Sequence, residues 1–204
     1  MITPSEYLKK IVRGWGISPQ KIRVIYNAVD LPELQITKEE LRRKLGIKPQ
    51  TFLMVSSGRN VPWKGFSLMK AVGDELKKDY PDMDLRIFHD LPRNSLLEYI
   101  KTADLYVLNT GYEGLSNTLV EVMMIGTPII TTNVCGNPEV IQNESSGLLV
   151  EYNNREQLKQ AILKLHNHPE LREKFSENGR RSLAKFSLEN MINQTEGVLK
   201  SCAS

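Results

Sequence analysis

Residues 51–65 read TFLMVSSGRNVPWKG, and this stretch decides the fold. Its first five residues form an apolar run typical of a buried β-strand, and the Ser-Ser-Gly that follows predicts a turn. Beyond the turn, apolar residues recur at helical spacing, at Phe66, Met69, Val72 and Leu76. A buried strand that passes through a turn into a helix is the repeating unit of a parallel sheet covered by helices.

The same strand-like apolar character recurs further along the chain, in residues 85–88, 104–108, 128–132 and 147–150. Helical spacing separates most of these segments. Strands that are apolar on both faces and alternate with helices predict an α/β fold: a Rossmann-like doubly wound parallel sheet flanked by helices.

Both ends of the chain lie outside this pattern. Near the N-terminus, Thr3 is expected to cap a short helix, and residues 22–26 are expected to form a strand. At the other end, helical spacing begins at Leu158 and continues to about Leu199, which predicts a helical C-terminal tail.

Composition narrows the function classes. The 204 residues are 40% apolar and 25% charged, which suits one well-buried domain with an appendage. The net charge of +3, without a concentrated basic stripe, argues against a nucleic-acid-binding protein. Two distant cysteines, three histidines without metal-ligand spacing and no long apolar run favour a cytoplasmic protein without metal or membrane span.

Parallel sheets bind ligands beyond the carboxyl ends of their strands. Three segments are expected there: residues 57–65, 109–117 and 132–139. In the first, Arg59 and Lys64 flank a turn before a helix start, an arrangement that favours an anion. A solvated Arg and Lys beside a turn explain the segment equally well.

The second segment contains Glu113 in a turn, followed by Gly114 and a helix expected to start near Leu115. A carboxylate in the turn can accept hydrogen bonds from sugar hydroxyls. Glu121, nearly two turns into the helix, can accept hydrogen bonds from the two hydroxyls of a ribose. The alternatives are that Glu113 complements the helix dipole and that Glu121 lies at the surface. Because apolar residues flank Glu121, partial burial is expected, and this favours the functional role.

The third segment is a polar turn. We expect its amides and Asn137 to face a ligand, and Glu139 to cap the short helix that follows. Cys135 has no histidine partner in any visible pattern, so a nucleophilic role is not predicted.

Taken in order, these segments resemble the C-terminal, nucleotide-sugar-binding domain of the family-four retaining glycosyltransferases, which have the GT-B fold. The resemblance covers nearly the whole chain. Its stretches are SEYL (5–8) with KIRVIYNAVD (21–30), GRNVPWKG (58–65), residues 113–121, and GTP (126–128), GNPE (136–139) and GLLV (147–150). Ala28 replaces the Gly of the family's usual Asn-Gly-Val-Asp.

The resemblance implies a UDP- or GDP-linked sugar as donor substrate, with no cofactor and no metal. It implies catalytic roles for three residues: Arg59 and Lys64 at the diphosphate, and Glu113 at the sugar. The implied donor-binding residues are Gly58, Gly114, Leu115, Ser116, Asn117 and, at the ribose, Glu121.

The resemblance also divides the chain, into residues 1–30 as the end of an acceptor domain, 31–50 as linker and short helix, 51–186 as donor-binding domain, and 187–204 as C-terminal helix. The acceptor domain is expected elsewhere, in a longer or partner chain, so the isolated chain is expected to be inactive. Between Leu85 and Asp104 the sequence predicts one strand, where the family usually has two. Much of the expected nucleobase pocket is therefore expected to be missing.

The implied reaction is transfer of a hexose, with retention, to a glycan or lipid-linked acceptor in the cytoplasm. The full enzyme would contact the membrane peripherally. The alternatives are a non-catalytic interaction or regulatory module that keeps the half-fold, and an epimerase acting on a nucleotide sugar. An exposed apolar face on the tail or on residues 1–30 is also expected, and it favours a homodimer or a partner chain. In the tail this face comprises Leu188, Met191, Ile192 and Val198.

Overall fold

The structure is a computed structural model that describes residues 1–32 and 35–203. Residues 33 and 34, part of the predicted linker, lie outside the described residues. Within the described ranges the strands are β1 (Ile2–Thr3), β2 (Arg23–Val24), β3 (Phe52–Ser57), β4 (Met83–Phe88), β5 (Leu105–Leu108), β6 (Ile129–Thr132) and β7 (Leu148–Val150).

The α-helices are α1 (Glu6–Gly14), α2 (Lys38–Lys44), α3 (Phe66–Asp79), α4 (Arg93–Thr102), α5 (Asn117–Ile125), α6 (Asn137–Val140), α7 (Arg155–Asn167), α8 (Pro169–Arg181) and α9 (Leu188–Ala203). Short 3-10 helices span Pro19–Lys21, Pro62–Lys64 and Leu183–Phe186. No helix among the described residues combines the length and the apolar character needed to cross a bilayer.

The central sheet has five parallel strands in the order β4-β3-β5-β6-β7. Strand β3 shows why both faces are covered. Leu53 and Val55 belong to the apolar cluster that includes Leu97 of α4 and Leu119 of α5, whereas Met54 belongs to the opposite cluster with residues of α3 and α7. The α/β fold with a parallel sheet and C-terminal helices is therefore confirmed.

Strand β4 is the edge strand beside β3, and in the described residues between β4 and β5 only α4 intervenes. The region between Leu85 and Asp104 thus supplies a single strand, as the sequence indicated.

The N-terminal arm, residues 1–30, contains a separate two-stranded sheet. Strands β1 and β2 pair in parallel, with α1 between them. The prediction that Thr3 caps α1 is wrong: Thr3 is held in β1, and the cap is Ser5, whose Oγ accepts the N–H of Leu8 at 3.1 Å. Pairing with β2 keeps the chain extended for two residues longer than the local sequence suggested.

Helix α9 packs on this N-terminal arm. The Sδ of Met191 accepts the N–H of Ala28 at 3.4 Å, and Val198 lines a shallow groove with Val24. Both side chains are partly buried, so their predicted place on an exposed face is wrong. The exposed apolar side chains of α9 are Leu188, Ile192 and Leu199.

Candidate functional site

The loops at the carboxyl end of the sheet are joined by Asn109, which is buried directly after β5. Its Nδ2 donates to the carbonyl of Gly65 at 3.2 Å and to Oδ1 of Asn153 at 3.0 Å, and its Oδ1 accepts the N–H of Asn153 at 3.1 Å. One side chain therefore fixes the loop after β3 against the loop after β7. Sequence reasoning gave Asn109 no role, although a polar residue at the end of a buried strand was a usable signal.

Gly65 makes this junction sterically feasible. Its φ is +57°, and a Cβ at this position would lie 2.3 Å from Nδ2 of Asn109. A side chain is therefore excluded both by the backbone conformation and by the close approach. The geometry of residues 58–65 depends on this glycine.

Lys64 and Glu113, both predicted as site residues, are brought together. The Nζ of Lys64 lies 2.5 Å from Oε2 of Glu113, and the two side chains are 14% and 22% exposed. Gly58, with a φ of +146°, lets the backbone turn beside the lysine stem in a conformation that other residues rarely adopt. The loop after β3 and the loop after β5 therefore meet through an ion pair.

Arg59 is exposed on the same loop. Its side chain makes no hydrogen bond or ion pair with any described residue, so the structure does not join it to Lys64 or Glu113. The guanidinium is an available cation beside the loop.

The start of α5 lies next to this ion pair. The helix begins at Asn117 with Ser116 as its cap, two residues later than expected, so Glu121 lies little more than one turn in. Leu115 and Ser116 are buried. Among the described residues nothing accepts the backbone N–H groups of residues 114–117. Free amides at a helix start, together with the helix dipole, suit an anion.

Glu121 is partly buried, as predicted, with 13% of its side chain exposed. Its partner is Arg93 at the start of α4: Nε and Nη2 of Arg93 donate to the same carboxylate oxygen, Oε1, at 3.0 and 2.8 Å. Sequence reasoning missed Arg93, because the two residues lie 28 positions apart on different helices and no local pattern relates them.

The third segment differs from its prediction. Asn137 is fully buried, and its Nδ2 donates to Oγ1 of Thr131 and to the carbonyl and Oγ1 of Thr132 at 3.1–3.2 Å. It holds the turn after β6 and does not face a ligand, so that prediction is wrong.

Glu139 does not cap α6, and that prediction is wrong as well. Its carboxylate accepts the N–H groups of Glu6 and Tyr7, each at 2.8 Å, and so caps the positive end of α1. The hydroxyl of Tyr26 donates to the same carboxylate at 3.0 Å. Burial, followed by this hydrogen bond, raises the pKa of Tyr26 to about 12.

The described residues contain no group of three or more His, Cys, Asp or Glu side chains arranged to hold a metal ion. The positive features of the site are Lys64, Arg59 and the start of α5. An anionic group bounded by hydroxyls would find cations, amide donors and carboxylate acceptors at this end of the sheet.

Several known proteins are similar to this chain. Residues 84–182 match the family described as Glycosyl transferases group 1. A UDP-Gal:alpha-D-GlcNAc-diphosphoundecaprenol alpha-1,3-galactosyltransferase from Escherichia coli is 30% identical over 178 residues, which cover 73% of this chain and 46% of the relative.

Two solved structures share the fold. Anabaena HepE, in complex with UDP and glucose, matches 98% of this chain and 62% of its own with a TM-score of 0.84 at 17% identity. The C-terminal domain of a glycosyl transferase group 1 family protein from Francisella tularensis matches 80% of this chain and 97% of its own, with a TM-score of 0.66 at 18% identity.

This chain is a GT-B glycosyltransferase C-terminal domain. The resemblance noted in the sequence is confirmed at that level. The chain spans about half the length of the curated relatives it matches, between 46% and 59% for three of them. In this GT-B domain, residues 58–65 and 113–121 lie at the carboxyl end of the sheet, after β3 and β5.

Proposed function

We propose that this GT-B domain is the donor-binding portion of a family-four retaining glycosyltransferase, which transfers a hexose from a nucleotide diphosphate sugar to a glycan or lipid-linked acceptor. The observation that carries the proposal is the contact of Lys64 with Glu113, directly before the free amides of residues 114–117. Because HepE is seen with UDP and with UDP-glucose, we favour a UDP-linked donor over a GDP-linked one.

Lys64 suits the diphosphate of such a donor. Its ammonium carries three N–H donors, so it can keep Glu113 and still offer hydrogen bonds to phosphate oxygens. Arg59 and the dipole of α5 add positive charge. One cation at ~4 Å from a phosphate charge is worth roughly 4 kcal/mol at an effective dielectric near 20, before desolvation. Stabilisation of this size favours departure of the nucleotide diphosphate.

Glu113 suits the donor sugar. Its Oε2 is held by Lys64, and Oε1 has no hydrogen-bond partner among the described residues, so it can accept a sugar hydroxyl. Glu121 suits the ribose in the same way. Gly58, Leu115 and Ser116 complete the proposed donor site around these groups.

The proposed reaction uses neither a metal nor a cofactor, since the two basic side chains and the helix start supply the positive charge. We propose that the acceptor attacks from the same face that the nucleotide leaves, which retains the configuration and requires no protein nucleophile. A further domain or a partner chain would bind the acceptor, so the isolated chain is expected to be inactive.

The exposed Leu188, Ile192 and Leu199 on α9 support contact with such a partner or with a second copy. The complete enzyme is proposed to work in the cytoplasm, with peripheral contact at the membrane. Sedimentation at high concentration tests the self-association: a clean monomer contradicts the homodimer.

Calorimetry of the chain with UDP, GDP and their hexose conjugates, in the presence of a chelator, tests donor binding. Ligand at 100 times its Kd should raise the free energy of unfolding of the chain by roughly 2.7 kcal/mol. Lys64→Ala should abolish most binding, and Lys70→Ala, which removes an exposed lysine of α3, should not. Sugar transfer should appear when an acceptor-domain partner is added.

No nucleotide binding and no transfer would instead support the alternative, a non-catalytic interaction module with the same half-fold. The two functions therefore give opposite results in one set of measurements.

A further inference from the structure

Arg93 joins two parts of the molecule that the proposed function treats separately. Its Nε and Nη2 donate to Oε1 of Glu121, and the same Nη2 donates to the backbone carbonyl of Asp30 at 2.8 Å. Asp30 ends the segment NAVD, which leads from the N-terminal arm into the linker. One guanidinium therefore connects the end of the N-terminal arm with the carboxylate of Glu121 on α5.

We infer that Arg93 is a positioning residue for the nucleotide's ribose, which it serves by fixing Glu121 and tying it to the end of the N-terminal arm at Asp30. The inference rests on the proposed function, because it takes Glu121 as the ribose acceptor.

The two carboxylate oxygens of Glu121 have different surroundings, and this difference supports the positioning role. Oε1 of Glu121 receives both N–H groups of Arg93, while Oε2 has no hydrogen-bond partner among the described residues. A carboxylate held through one oxygen cannot rotate freely, so the other oxygen keeps one direction. Because an ionised carboxylate only accepts hydrogen bonds, a neighbouring pair of hydroxyls is a suitable ligand for it.

The end of the N-terminal arm contacts the helices at a second point. Nδ2 of Asn27 donates to Oδ1 of Asn117 at 3.2 Å, so both ends of the segment 27–30 contact the helices that bear Arg93 and Glu121. A shift of this segment would move Arg93 and, through it, Glu121. Ribose binding is thereby coupled to the end of the N-terminal arm.

The exposure of Arg93 makes the inference testable without loss of the fold. Its side chain is 51% exposed, so its removal creates no cavity. The matched control is Asn94→Ala, since Asn94 is the next residue of α4, is exposed, and has a side chain that makes no hydrogen bond with a described residue.

The experiment measures the affinity of the 204-residue chain for UDP and GDP, each against its 2′-deoxy counterpart, by calorimetry. The unaltered chain should prefer the ribonucleotide. Arg93→Ala should weaken ribonucleotide binding about tenfold, the loss typical of one hydrogen bond to a charged group, and weaken deoxynucleotide binding much less. In Arg93→Ala the preference for the ribonucleotide over the deoxynucleotide should fall to the level shown by Glu121→Gln. Asn94→Ala should leave this preference unchanged.

Two further variants keep the result interpretable. Arg93→Lys retains the charge but replaces the planar guanidinium with a compact ammonium. It should therefore recover only part of the preference for the ribonucleotide. Adding Glu121→Gln to Arg93→Ala should cost little more than either change alone, because both act through one contact.

Equal losses for the ribonucleotide and the deoxynucleotide in Arg93→Ala would show a merely structural role and overturn the inference alone. An unaltered chain that binds neither UDP nor GDP would overturn the proposed function, and this inference with it.

Discussion

The ammonium of Lys64 lies 2.5 Å from the carboxylate of Glu113, and both side chains are largely withdrawn from solvent. The pair joins the loop that follows β3 to the loop that follows β5. The pair holds the ammonium of Lys64 in place, so under the proposed function a diphosphate would meet an already oriented lysine.

The first prediction concerns the strength of this pair. Lys64→Met leaves Glu113 without its partner in a poorly solvated place and should lower the free energy of unfolding by about 1–3 kcal/mol. A double-mutant cycle with Glu113→Gln, measured by urea unfolding, should give a coupling of about 1 kcal/mol. The exposed pair Lys70–Asp74 serves as control and should couple by only a few tenths of that. A coupling no larger than the control's would contradict the prediction.

The second prediction separates backbone strain from crowding at Gly65. Gly46 and Gly65 have similar positive φ values, +65° and +57°, but a Cβ at Gly46 meets nothing within 4 Å. Gly46→Ala should therefore cost roughly 1 kcal/mol for the left-handed backbone alone. Gly65→Ala should cost about 1–3 kcal/mol more, because its methyl group collides with Asn109.

Urea midpoints of the two variants measure the difference. Gly65→Ala should also weaken nucleotide binding, since it displaces the loop that bears Lys64, whereas Gly46→Ala should not. Equal destabilisation in the two variants would mean that the loop relaxes away from Asn109 without cost.

The third prediction concerns the docking of the N-terminal arm. Glu139→Ala removes the acceptor for two amides at the start of α1 and should cost about 1 kcal/mol, as loss of a helix cap usually does. Hydrogen exchange should accelerate mainly in residues 6–14. Glu177→Ala, which removes an exposed carboxylate from α8, is the control and should leave that exchange unchanged. Uniform acceleration across the sheet would argue that Glu139 supports the domain and not the arm.

The sequence predicts those features of the structure that are determined by residues close together in the chain. Strand β3 and helix α3 follow from the spacing of their own apolar residues, and the parallel sheet follows from the alternation of such units. The meeting of Lys64 and Glu113 was predictable in outline, because the ends of neighbouring parallel strands lie at one edge.

The contacts that the sequence did not predict have a different origin. Glu139 caps a helix more than 130 residues away, and Asn137 turns inward to satisfy polar groups of β6. Arg93 pairs with Glu121 across two helices. In each case a polar side chain is placed by tertiary packing, and local sequence contains no trace of its partner.

The fourth prediction is a pH dependence at Tyr26. Burial and the hydrogen bond to Glu139 raise the pKa of this phenol from 10.0 to about 12, so the folded chain favours the protonated form. Its contribution to stability is therefore complete below pH 10 and is lost as the pH rises through about 12. The stability advantage of the unaltered chain over Tyr26→Phe should accordingly shrink between pH 10 and 12. Tyrosinate absorbance should show late ionisation of Tyr26, and Glu139→Gln should bring that ionisation to lower pH because it removes the charged acceptor. An advantage over Tyr26→Phe that is the same at both ends of this pH range would contradict the prediction.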